Sequence, residues 1–283
     1  MRYNILIGGK AGQGINKISE IVSNILVEYG YFTFNYRDYP SLIRGGHNFN
    51  VLSISDERVG SIETKLDIVV AMDKNTIEVH KNNLRNDGII IEFEEFKDLG
   101  RNLNVAQAGA LIKILGISKE LLINEVEEQF HNKDSNAAAE LGYNSQKEKF
   151  NLSKLNNKIN IMSGSQAIAQ GAINSKIDLY VAYPMTPATG VLHELAGKAK
   201  EKGFEVFQPE NEIAVVNSGL GASFTGSKAM IGTSGGGYDL MTEGLSLQGQ
   251  SEIPLVVYLC SRPGPGTGVP TYTSQADLDI ALR

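Results

Sequence analysis

Asp178-Leu179-Tyr180-Val181-Ala182-Tyr183-Pro184-Met185-Thr186-Pro187 reads as an apolar strand, over 178–182, running directly into a polar turn. Pro184 and Pro187 restrict φ to about −65° and hold the residues before them extended, so Thr186 is presented rigidly just past the strand. The pattern repeats on both sides. Helices are predicted over 163–174, 189–201, 210–224 and 238–250, and strands over 204–207, 229–233 and 255–259. Strands alternating with helices at these intervals imply an α/β domain with a largely parallel sheet. Open sheets of that kind bind ligands at the carboxyl ends of their strands, where Thr186 lies.

The first half of the chain has the same character. Tyr3 to Ile7 fits a buried strand, and the turn Gly8-Gly9-Lys10-Ala11-Gly12-Gln13-Gly14 opens a helix marked by Ile15, Ile18, Ile21, Val22, Ile25 and Leu26. Further strands are predicted over 31–36, 48–55, 66–72 and 88–92, and helices over 108–115 and 119–130, the latter with Ser118 as N-cap. The polar run NSQKEKFNLSKLNNK is the candidate linker. It divides the chain into an α/β domain over 1–145, a linker over 146–158 and a second α/β domain over 159–283. The second segment stops at Arg283 inside an apparent helix, SQADLDIALR, so the sequence is expected to be a truncated version of a longer one.

Composition narrows the function. A net charge of −6 without a Lys/Arg-rich run argues against a nucleic-acid surface. The single cysteine, Cys260, excludes a disulfide framework, a cysteine-ligated zinc site and an iron–sulfur cluster carried by this chain alone. The apolar run near Met1 is too short for a signal peptide or a membrane span, and a cytoplasmic location is expected. His47, His80, His131 and His193 form no metal-ligand spacing, and no metal site is assigned.

Each candidate site has a plainer reading beside it. Gly9, Gly12 and Gly14 lie between a strand and a helix, where backbone N–H groups favour an anion. Their order is not G-x-G-x-x-G, and a tight turn with close helix–strand packing explains them equally. Arg44, beside Gly45 and Gly46, suits a phosphate or carboxylate contact, or an interface loop. Glu210 and Glu212 begin a helix; either they cap it, or one of them shares a proton with a cofactor nitrogen in a dry site. Thr233, Ser234 and Gly235 form another strand-to-helix turn able to line a ligand. Arg262 heads a loop containing Gly264, Gly266 and Gly268; its guanidinium either grips a carboxylate with two hydrogen bonds or is solvated.

Taken together, these motifs resemble a known family. The second half is similar to the alpha subunit, and the first half to the gamma subunit, of thiamine diphosphate-dependent 2-oxoacid:ferredoxin oxidoreductases. The resemblance rests on YPMTP (183–187), on SRPGPGTGVPTYTSQADL (261–278), and on GGKAGQG with SLIRGGHNFNVLSIS in the first half. It spans essentially the whole chain and implies a fused gamma–alpha subunit whose second half is a pyrimidine-binding domain.

The resemblance also implies roles. Thr186 and Arg262 would hold the substrate's carboxylate and keto group, and Glu212 would hydrogen-bond the aminopyrimidine ring of thiamine diphosphate. Tyr183, Pro184, Thr233, Ser234 and Gly235 would line the cofactor. The chain has no GDG motif with downstream asparagines and no cysteine set. Mg2+ and an iron–sulfur cluster of the 4Fe-4S type are therefore expected on a beta-subunit partner in a hetero-oligomer, with coenzyme A as co-substrate and ferredoxin as electron acceptor. The competing readings are a nucleotide-binding α/β module using the first glycine turn, and a non-catalytic fragment that keeps only a partner-binding surface.

Overall fold

The computed structural model describes residues 1–38, 46–260 and 277–282, and the chain forms two compact units that divide between Ile161 and Met162. The first unit is built on a five-stranded sheet of β1 (Arg2–Lys10), β2 (Phe32–Asp38), β3 (His47–Ser55), β4 (Leu66–Ala71) and β5 (Leu84–Glu92), in the order β2-β3-β1-β4-β5. β1, β4 and β5 are parallel, whereas β3 pairs antiparallel with both β1 and β2. The sequence pointed to a largely parallel sheet, and this half is mixed. Only eight residues separate β2 from β3, too few for the crossover that parallel neighbours need, so the two strands pair in opposite directions.

α1 (Ile15–Glu28) follows β1 through Gly14, whose φ of 93° falls in the left-handed region. Its predicted apolar face is wholly buried: Ile15, Ile18, Ile21, Val22, Ile25 and Leu26 all face the core. At roughly 1.5–3 kcal/mol for each fully buried aliphatic side chain, before entropy is counted, this face is a main anchor of the unit. α2 (Lys74–His80) begins on Asp73, whose carboxylate accepts from the Thr76 N–H at 2.9 Å. α3 (Leu103–Leu115) and α4 (Lys119–Phe130) occur close to where the periodicity puts them.

α5 (Lys133–Ser145) was not anticipated, because its sequence is small and polar rather than amphipathic. It packs on α3 through glycine: a side chain at Gly109 would run into the Ala139 carbonyl, and one at Gly142 into the Ala106 carbonyl.

The segment expected as a linker is packed onto the first unit. Lys149 and Phe150 N–H groups donate to the Ile114 carbonyl, the Leu152 N–H to the Leu115 carbonyl, and the Leu155 N–H to the Tyr29 carbonyl. Leu152 is buried, and the Phe150 ring meets Tyr3 edge-on at 4.7 Å. Phe150, Leu152 and Leu155 are the apolar side chains by which this polar run joins the core of the first unit.

The second unit is a three-layer arrangement around a wholly parallel sheet of order β7-β6-β8-β9. The strands are β6 (Leu179–Ala182), β7 (Glu205–Phe207), β8 (Ala229–Thr233) and β9 (Val256–Leu259). α6 (Gly164–Asn174) and α7 (Thr189–Lys202) cover one face, packing Ala169, Ala172, Val191, Leu192 and Leu195 around Tyr180 and Met230. α8 (Glu212–Phe224) and α9 (Gly235–Ser251) cover the other, with Val215, Val216, Leu220 and Met241 against Val181 and Ile231. α10 (Asp277–Leu282) ends the described chain. β6 leads into a helix on one face and its neighbour β8 into a helix on the other. The crevice outside their carboxyl ends is thus a topological switch point.

Candidate active site

Two connections meet that crevice. The first leaves β6 through Tyr183, Pro184, Met185 and Thr186, with Tyr183, Pro184 and Thr186 exposed and a cis peptide bond between Thr186 and Pro187. The Ala188 N–H closes the turn onto the Met185 carbonyl at 2.7 Å. Ala188 occupies the N-cap of α7 and makes no side-chain cap hydrogen bond. The second connection leaves β8 at Thr233 and Ser234, both buried, and enters α9 at Gly235. The Thr233 hydroxyl donates to the Ser234 carbonyl at 3.3 Å, and its own carbonyl accepts from the Cys260 N–H at 3.0 Å.

Glu212 comes from the third element at this edge. Neither glutamate caps α8: the cap is Asn211, whose side-chain oxygen accepts from the Ala214 N–H at 2.9 Å. Glu210 lies outside the helix and exposed. Glu212 is the first helical residue and only 4% exposed, and its Oε1 has no hydrogen-bond partner among the described residues. The positive end of the helix favours its charge. A dry carboxylate oxygen without a donor is nevertheless costly. Its side chain lies on the first turn of α9, where a Cβ on Gly237 would stand 3.0 Å from its Oε1.

Tyr180 was not singled out in the sequence. Its ring is fully buried on the opposite face of the sheet, its hydroxyl unpartnered among the described residues and pressed on Gly232, where any side chain would collide with it. Burial pushes its phenol well above the usual tyrosine range, with Cys260 nearby adding to the effect. Burial raises Tyr258 as well, reinforced by its contact with Cys260. Between α8 and α9 lies a half-open cavity of about 560 Å³ lined by Ile213, Val216, Asn217, Leu240 and Leu247, among others. Ile213 and Leu240 are each 53% exposed.

In the first unit the glycine turn is closed by the protein itself. The Lys10 N–H donates to Gln13 Oε1 at 2.6 Å and Gln13 Nε2 donates to the Met72 carbonyl at 3.3 Å, so one amide side chain spans the ends of β1 and β4. Gly9 is needed there, since a Cβ would sit 2.5 Å from Gln13 Oε1 and 2.8 Å from Met72 Cβ. Gly12 and Gly14 have φ of 89° and 93°. This geometry is the tight-turn reading of the glycines. Arg44, Arg262 and the glycines after Arg262 lie outside the described residues. Among the described residues no group of three or more His, Cys, Asp or Glu is placed to hold a metal ion, and no helix is long and apolar enough to cross a membrane.

Comparison with known proteins gives matches to two family models. Residues 170–283 match the family model described as pyruvate flavodoxin/ferredoxin oxidoreductase, thiamine diphosphate-binding, and residues 4–99 match the one described as pyruvate ferredoxin/flavodoxin oxidoreductase. Together the two matches make the chain similar to 2-oxoacid:ferredoxin oxidoreductases. The 2-oxoacid:ferredoxin oxidoreductase subunit alpha of Saccharolobus solfataricus is 28% identical, over all of this chain and 58% of that relative. The 2-oxoglutarate oxidoreductase subunit KorA of Mycobacterium tuberculosis is 43% identical over 43% of this chain and 19% of its own. The solved 2-oxoglutarate:ferredoxin oxidoreductase of Magnetococcus marinus superposes with a TM-score of 0.81 at 25% identity, covering 95% of this chain and 54% of that one. The chain thus spans somewhat more than half the length of the full-coverage relatives. The thiamine diphosphate-binding match contains Thr186, Glu212, Thr233 and Arg262. The buried Oε1 of Glu212, without a hydrogen-bond partner among the described residues, can accept from an N–H of such a cofactor.

Proposed function

We propose that this chain supplies the pyrimidine-binding and substrate-recognising half of a thiamine diphosphate-dependent 2-oxoacid:ferredoxin oxidoreductase. The observation that carries this reading is the unpaired Oε1 of buried Glu212 at the sheet's switch point. An N–H or protonated ring nitrogen satisfies such an oxygen, and a pyrimidine ring presents one. When bound, thiamine diphosphate supplies the nucleophilic carbon and electron sink that decarboxylation of a 2-oxoacid requires. Glu212 shares a proton with the ring, and Tyr183, Pro184, Thr233, Ser234 and Gly235 form its surroundings. Thr186, exposed at the mouth of the crevice, and Arg262 hold the substrate carboxylate and keto oxygen.

A beta subunit completes the site by holding the diphosphate with Mg2+ and a cluster of the 4Fe-4S type. Coenzyme A takes the acyl group and ferredoxin the electrons, in a cytoplasmic hetero-oligomer. The apolar, exposed side chains of Ile213, Leu240 and Leu247 around the cavity between α8 and α9 support a partner there. The Magnetococcus marinus enzyme, solved with 2-oxoglutarate, coenzyme A and succinyl-CoA, supports a 2-oxoacid and coenzyme A as ligands. We assign 1–145 as a gamma-like domain and 159–283 as the alpha-type pyrimidine-binding domain. Gln13, filling the glycine turn, weighs against the nucleotide-binding reading.

The test is co-expression with candidate beta subunits and measurement of viologen reduction by a panel of 2-oxoacids with coenzyme A. Reduction that requires added thiamine diphosphate is expected. A stable complex that reduces viologen with none of the acids overturns the proposal.

A further inference from the structure

The first turn of α9 bears on Glu212 through a residue that has no side chain. A Cβ built on Gly237 overlaps the Thr233 hydroxyl outright, and stands 2.8 Å from Cγ and 3.0 Å from Oε1 of Glu212. Side chains from β8 and from α8 therefore converge on one bare Cα. Both are buried, Thr233 completely, so neither has solvent to retreat into. Gly237 is itself buried and helical, where glycine costs roughly 0.5–1 kcal/mol relative to alanine. Its own φ is ordinary, since it is absent from the positive-φ glycines, so backbone freedom does not account for it. Gly236, one position earlier, has open space around its missing side chain.

We propose that Gly237 is a positioning residue for Glu212: its bare Cα is the seat that holds the free carboxylate oxygen at the crevice. This rests on the reading that Glu212 meets the cofactor ring. A methyl at 237 pushes the Thr233 hydroxyl aside and drives the Glu212 carboxylate off the α9 turn, while the fold and the remaining crevice persist.

Gly219, buried in α8, provides a control, for its Cβ would meet only Ile231 at 2.6 Å and Leu255 at 3.1 Å. The experiment titrates thiamine diphosphate, and an analogue in which carbon replaces the one of its two pyrimidine nitrogens that would face Glu212, into the complex with the beta subunit. Gly237→Ala is expected to weaken thiamine diphosphate at least tenfold and leave the analogue unchanged. Gly219→Ala is expected to lower Tm and leave both affinities unchanged. If Gly237→Ala does not fold, Thr233→Ala/Gly237→Ala removes the worst overlap and keeps the methyl against Glu212; measured against Thr233→Ala alone, it is expected to show the same selective loss. Equal losses for both ligands, or thiamine diphosphate affinity like that of the unaltered complex, overturn the inference. An unaltered complex that fails to prefer thiamine diphosphate over the analogue overturns the cofactor reading itself, and the inference with it.

Discussion

His47 and His80, 33 positions apart, bring their Nε2 atoms to 2.8 Å at the junction of β3 with α2. Phe49 lies against both rings, stacked on His47 at 5.6 Å and edge-on to His80 at 4.8 Å. Burial pushes His80 down to about 4, with His47 beside it contributing, and burial lowers His47 too against the pull of Asp73 and Asp38.

A depressed histidine pKa means that the unfolded chain takes up the proton first. The stability from the neutral pair is complete above pH about 6.5 and is lost as pH falls from there through about 4. Tm is therefore expected to drop over that window, by an amount equivalent to about 2 kcal/mol. His80→Gln should flatten this part of the profile. An unchanged slope in the variant would show that other groups produce it.

Glu212→Gln keeps the size of the side chain and loses the acid. In the assembled enzyme kcat is expected to fall at least 100-fold, about the scale of a lost acid–base group, with the complex intact by gel filtration. Glu210→Gln, at an exposed position, should change kcat by less than about threefold. The reverse ranking would move the catalytic assignment to Glu210.

Thr186→Val removes one hydroxyl and retains the shape. If Thr186 binds the substrate carboxylate, KM for the 2-oxoacid rises about tenfold or more, the value of one hydrogen bond to a charged group. A KM within a factor of two of the unaltered enzyme takes Thr186 out of the substrate site.

Tyr180→Phe deletes a buried hydroxyl that has no partner among the described residues. Stability in urea should rise by about 1 kcal/mol, because an unsatisfied polar group is removed while packing is kept. A loss of stability would show that the hydroxyl is bonded in solution.

Gly142→Ala should destabilise the first unit by about 1–3 kcal/mol despite alanine's better helix propensity, because the methyl enters the Ala106 carbonyl. Urea melts followed by circular dichroism provide the check. An unchanged midpoint would mean that α3 and α5 separate without cost.

Much of the architecture was legible in the residues. The apolar periodicity of Ile15 to Leu26 marks α1, and the alternation around 178–259 marks the second unit, because burial on one helix face or on both sheet faces requires those patterns. α5 was not legible, since small residues carry no amphipathic stripe and disclose their role only when α3 lies against them. The segment 146–158 misled because composition weighs every residue alike, whereas Phe150 and Leu152 find their partners far away in sequence.

Sequence by itself determined the class of the fold, the family motifs and the short list of site residues, because these rest on local patterns and on residue chemistry. Tertiary structure alone gave the members of that list their different surroundings. It made Asn211 the cap and left Glu212 buried, its Oε1 without a hydrogen-bond partner among the described residues, and it filled the first glycine turn with Gln13. It also joined His47 to His80 and set Gly237 beneath Glu212. The physical reason is common to all four: burial and hydrogen-bond satisfaction are properties of neighbours in space, and those neighbours come from different strands and helices.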